Sequence, residues 1–172
     1  MTWSRWKIAG LLFMVGGALG IVGSIAGAAG SAPGGWLSLV GLLLEGVAFV
    51  LFGIGFRRAG TRAWVPRLFV IAGALMVIMA LLWMVGGSLG AATLLFQLAI
   101  VALIIVAAAL LLSAHSIDSI LAIALIVLGA LLAITLFVGN VVLGILIGAA
   151  YIVIGLLVWG VRLGGRRAST RP

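Results

Sequence analysis

The sequence predicts an all-α polytopic membrane protein, with six transmembrane helices arranged as three successive hairpins. Three observations carry that expectation. Hydrophobic residues are 66% of the 172 and charged residues 7%, with a mean hydropathy of +1.52, well outside the range of water-dispersed domains. Two acids and ten bases cannot coat a soluble fold of this size, so a bilayer must cover it. The bases also fall in short clusters between apolar runs of about 20 residues, the length that crosses roughly 30 Å of hydrocarbon.

The first span is predicted over 8–29, preceded by Arg5 and Lys7 with Trp3 and Trp6 nearby. A small-residue turn over 30–35 leads to the second span, 36–56. Arg57, Arg58, Arg62 and Arg67 follow, with Trp64 among them. The second hairpin runs 68–88 and 91–112, turning near Gly86, Gly87 and Gly90, and a polar break at Ser113, Ala114, His115 and Ser116 closes it. The third runs 117–138 and 141–161 about Gly139 and Asn140, and a basic tail occupies 162–172. The whole is one transmembrane domain, its hairpins spanning 8–56, 68–112 and 117–161.

All ten bases lie at the ends or between hairpins, and none lies in the three turns within hairpins. The positive-inside rule then places both termini in the cytoplasm, as an even number of spans requires, in a plasma or inner membrane. Trp3, Trp6, Trp36, Trp64 and Trp159 sit near span ends as an interfacial belt does, while Trp83 lies deeper. The first 28 residues could be read as a signal peptide, but their apolar stretch is long for one, and removing it would put the basic loops on mismatched sides, so retention is expected. A net charge of +8 without an aromatic-interleaved basic surface speaks against nucleic acid as a partner. Arg57, Arg58, Arg62 and Arg67 fit topology first, and anionic lipid headgroups or an acidic partner second.

Gly-Ala-Leu recurs at Gly17, Gly73 and Gly129, in the first helix of each hairpin and at an even spacing of 56. The run from Gly46 to Gly53 in the second span reads like that from Gly148 to Gly155 in the sixth, with alanines 102 and 109 replacing the glycines in the fourth. Three diverged hairpins account for the pattern. Helices in lipid associate where small side chains let backbones approach, so Gly16, Gly20, Gly23, Gly27, Gly46, Gly53, Gly148 and Gly155 are expected packing positions. Packing within the chain is the leading expectation for them, ahead of a homo-oligomer seam or a face for a membrane-complex partner.

Three hairpins in this length, glycine-punctuated as in Ile8-Ala9-Gly10 through Gly16-Gly17 and in Gly46 through Gly53, resemble the acid-resistance HdeD family. The resemblance covers nearly the whole chain, departing at the alanines of the middle hairpin. It implies a membrane protein associated with acid stress or of unknown function, and brings no catalytic residues. In size, span number and orientation the chain is also similar to the substrate-binding components of energy-coupling-factor vitamin transporters. That likeness implies a docking face at Gly16, Gly20, Gly23 and Gly27, but the outer turns offer chiefly Ser31, Ser88 and Asn140 to a ligand.

Glu45 lies near the middle of the second span, where an ionised side chain costs about 2.5–3.5 kcal/mol on insertion scales. With no base at that depth, desolvation is expected to hold it as the neutral acid. Tyr151 and Gln97 are its expected hydrogen-bond partners, making a candidate protonatable site that is either a switch or a structural tie. His115 and Asp118 are too few to form a metal centre, and Ser116 or Asp118 suits a helix N-cap. No cysteine, phosphate-binding loop or nucleophile–base spacing is present in the sequence, so neither catalysis nor a cofactor is expected. The leading expectation is a non-enzymatic structural or stress-response membrane protein. The alternatives are a small-solute or proton-coupled carrier, and a membrane subunit of a larger transport or energy-transducing complex.

Overall fold

The computed structural model describes residues 5–56, 64–86, 91–113 and 119–160, and all of the regular structure among them is helical. The helices are α1 (Arg5–Ala28), α2 (Ala32–Phe56), α3 (Val65–Met84), α4 (Ala91–Ser113), α5 (Ser119–Thr135) and α6 (Val141–Gly160). All but α5 are long and apolar enough to cross a membrane. At 17 residues α5 rises only about 25 Å, because its last turn tightens into the short-range bonds of Leu136 to Ala133 and Phe137 to Ile134.

Local chemistry sets the other ends. Gly30 takes a left-handed φ of 74°, so its N–H reaches the Gly27 carbonyl while that of Ser31 reaches Ala26, satisfying two carbonyls that α1 leaves open. Gly86 (φ 76°) closes α3 in the same way, donating to Trp83. Proline is tolerated in a first helical turn, where its missing N–H has no partner to lose. Hence α2 begins at Ala32, ahead of Pro33 and four residues before the predicted start, and α3 takes in Pro66. The Asn140 side-chain oxygen accepts the Leu143 N–H at 2.8 Å and caps α6. The proposed caps Ser116 and Asp118, His115 and the basic tail lie outside the described residues.

Each helix packs on its neighbours in the chain, and α6 returns to pack on α1, which makes a closed ring. The outward faces carry large apolar side chains such as Val15, Val22, Ile71, Ile78, Val127 and Val153, as lipid contact requires. At the centre Phe13, Phe49, Phe52, Phe69 and Tyr151 are fully buried and meet edge-on or stacked at 4.9 to 6.3 Å. Trp6 leaves the expected belt to join this cluster, 5.3 Å from Phe52, whereas Trp36, Trp64 and Trp159 are exposed near helix ends.

The repeat in the sequence reappears as repeated contacts. A Cβ on Gly155 would stand 2.6 Å from the Gly10 carbonyl oxygen and against Met14, and one on Gly53 would stand 2.6 Å from that of Pro66 and against Val70. Two turns further along, Gly148 faces Gly17 and Ile21, as Gly46 faces Gly73 and Val77. The partners Gly10, Met14, Gly17 and Ile21 on α1 are offset by 56 from Pro66, Val70, Gly73 and Val77 on α3. Burial keeps the same period, since Ala9, Val65 and Leu121, Phe13, Phe69 and Leu125, and the three Gly-Ala-Leu glycines are all buried. The α4–α5 seam departs from the pattern, as Gly129 meets the side chains of Ile104 and Ile105 instead of a backbone.

The expected packing glycines therefore divide. Gly16 and Gly23 press on α2, Gly46 and Gly53 on α3, and Gly148 and Gly155 on α1; Gly20 faces the Glu45 carboxylate, and Gly27 offers its backbone to Gly34 of α2, although a Cβ on Gly27 itself would meet nothing within 4 Å. Gly155→Ala should lower stability by about 1–3 kcal/mol through overpacking. Gly27→Ala should stay within about 0.5 kcal/mol of the parent. Thermal unfolding of both variants in one detergent checks this, and equal midpoints would remove the seam from the account.

Candidate functional site

Glu45 sits on the face of α2 that looks toward α1, and α1 makes room for it by carrying no side chain there. A Cβ on Gly16 would come within 2.8 Å of Glu45 Cγ, and one on Gly20 would lie 3.8 Å from its carboxylate oxygen. The side chain is 6% exposed, among neighbours that are otherwise apolar. The described bases Arg5, Lys7 and Arg67 stand near helix ends, with Lys7 over the Trp159 ring at 5.8 Å and Arg67 exposed in the first turn of α3. Arg57, Arg58 and Arg62 lie outside the described residues.

Tyr151 on α6 is the polar group that faces Glu45. Phe13 stacks on its ring at 5.9 Å and Phe49 meets it edge-on at 6.2 Å, so packing fixes the ring. Its hydroxyl is fully buried and closes no hydrogen bond of normal geometry, although it points toward the carboxyl. A buried hydroxyl left in that state costs about 1–3 kcal/mol. The pair is thus brought together without being locked. A carboxyl beside an unpaired hydroxyl can share a proton or accept a further polar group, and neither needs another protein side chain.

Gln97 does not join them. It belongs to α4, which packs on α3 and α5, and it lines a cavity of about 140 Å³ together with Leu42, Met76, Met79, Trp83 and Thr135. The cavity touches α2, α3, α4 and α5, and α2 and α5 are not neighbours in the ring, so it opens on the lumen. Trp83, Gln97 and Thr135 all lie toward the end opposite the termini, so the cavity occupies that half. Thr135 donates to the Leu132 carbonyl at 2.7 Å. No hydrogen bond from the Gln97 amide to a described residue is present.

The cavity was not foreseen from the sequence: the span drawn over 68–88 made Trp83 look deep, whereas α3 ends at Met84 and Trp83 stands in its last turn, turned into the cavity. Gly20, Met76 and Leu132 are spaced by 56: where α1 has a glycine beside Glu45, α3 and α5 contribute Met76 and Leu132 to the cavity wall. Among the described residues no three His, Cys, Asp or Glu side chains converge as a metal site would need.

This is a polytopic helical membrane protein with one buried carboxyl–phenol pair in its described residues. No family model matches the sequence, and comparison with curated proteins and with solved structures finds no match.

Replacing Tyr151 with Phe deletes the unpaired hydroxyl and keeps the ring. Stability should hold or rise by up to about 1 kcal/mol. A drop of more than about 1 kcal/mol in detergent unfolding would mean that the hydroxyl forms a working tie to Glu45.

Proposed function

We propose that this is a non-enzymatic protein of the cell membrane that serves in acid stress, as the HdeD resemblance implies, and that Glu45 is the group through which protonation acts on it. The observation that supports the reading is the placement of a lone carboxyl at mid-span, facing a tyrosine hydroxyl that leaves hydrogen-bonding capacity unused. Proton uptake or loss there changes the charge inside a packed interface of α1, α2 and α6, where no base among the described residues stands by to compensate. A small change in proton occupancy would therefore alter how these helices pack. A carrier would need a route to Glu45, and the cavity described above is lined without it.

Acid challenge tests this reading. Cells lacking the protein should survive acid less well than the parent, the wild-type chain should restore survival, and Glu45→Gln, which keeps shape but cannot titrate, should not. Full restoration by a Glu45→Gln protein present at normal membrane levels would remove Glu45 from the mechanism. An unaffected deletion strain would remove the stress role itself.

The proposed orientation has both termini in the cytoplasm. It rests on the bases of the sequence, which all lie at the termini or between hairpins. Because the chain has no cysteine, single substitutions report sidedness cleanly. Ser31→Cys should react with an impermeant thiol reagent from outside intact cells and Ser113→Cys only after lysis. The reverse pattern would invert the topology.

A further inference from the structure

The lumen cavity is built unlike the rest of the interior. The half of the ring toward the termini is filled by the aromatic cluster, and the α1–α2 seam is closed by glycines. Between α2 and α5 the walls instead stand apart around about 140 Å³, close to the roughly 150 Å³ of an engineered apolar cavity that takes up benzene. The lining chemistry narrows what would fit. Met76, Met79 and Trp83 offer two polarizable thioethers and an indole, groups that make favourable contacts with an aromatic ring. Gln97 contributes an amide that can both donate and accept and that no described residue engages. Among the described residues no charged side chain lines the space, so an ionic guest would lose its hydration without compensation from them.

We propose that this cavity binds a neutral single-ring aromatic molecule carrying one hydrogen-bonding group, with the ring against Met76, Met79 and Trp83 and the polar group on Gln97. Trp83 and Thr135 lie close to the ends of α3 and α5, so the guest enters from the side opposite the termini. The site is separate from Glu45, and its occupancy does not depend on the acid-stress reading.

Phenol and benzene are the probes. Equilibrium binding of each, radiolabelled, to the protein in lipid nanodiscs is measured against protein-free nanodiscs, which subtracts partition into lipid. Phenol should bind saturably to the wild-type chain. Leu132→Trp, which fills the cavity, should abolish that binding. Gln97→Leu, which keeps the volume, should weaken phenol about fivefold and leave benzene unchanged, as loss of one hydrogen bond predicts. The proposal is overturned if wild type shows no saturable phenol binding, or if Leu132→Trp binds phenol as well as wild type does. Equal phenol affinity in Gln97→Leu would overturn the polar contact, and that variant decides the matter even if Leu132→Trp fails to fold.

Discussion

Backbone-to-backbone contact at glycine is what closes this ring. Hydrocarbon gives two apolar helices no hydrophobic reason to leave lipid for each other, so association depends on close packing. Helix α1 meets that demand on two sides. Gly10 and Gly17 lie against carbonyl oxygens of α6, while Gly16 and Gly23 lie against α2. Each pair is spaced by seven residues, close to two helical turns, so each forms its own stripe, and the two stripes are offset by about one and two-thirds turns along the helix. With both stripes engaged, the first and last helices of the chain become neighbours and the lumen is bounded.

The position of each unusual group follows from how faithfully the three hairpins keep that pattern. The α6–α1 and α2–α3 seams keep it through glycine, and the rings packed against them, Phe13, Phe49, Phe69 and Tyr151, fill the centre. At the layer of Gly20, Met76 and Leu132 the hairpins diverge. A glycine on one helix lies beside a carboxyl from the next, while Met76 and Leu132 at the equivalent positions line the cavity. The protonatable pair and the cavity thus fall where the three hairpins differ.

Much of this was legible in the sequence. Spans could be drawn because the protein is apolar on all sides of each helix and basic or glycine-rich between them. The period of 56 could be found because Gly-Ala-Leu survives in all three hairpins. Which glycines touch was harder to see, because small-xxx-small spacing marks a stripe without saying which neighbour it faces. Gly16 and Gly23 belong with Gly41, Gly34 and Ser38, while Gly10, counted only as punctuation, turned out to seat Gly155. Glu45 was visible as a lone acid in a span, and Tyr151 as a neighbour at the same depth, although the expected hydrogen bond between them is not closed. Gln97 was grouped with them by depth alone, and ring order separates it, because α4 packs on α3 and α5. The length of α5 was also hidden, since the apolar run continues past Thr135 while the backbone tightens.

Closure of the ring by α1 and α6 is the claim on which the buried pair and the lumen both depend, and cross-linking tests it directly. The natural chain has no cysteine, so Ser24→Cys combined with Gly144→Cys gives one candidate disulfide. A Cβ at Gly144 would stand 2.9 Å from that of Ser24, slightly inside the roughly 3.5–4.5 Å that a disulfide adopts, so a small outward shift would allow the bond. Ring closure predicts rapid intramolecular cross-linking in membranes under mild oxidation, at monomer mass, and none when Val22→Cys, on the lipid face, replaces Ser24→Cys. Failure of the Ser24–Gly144 pair to cross-link, or cross-linking only between chains, would contradict it.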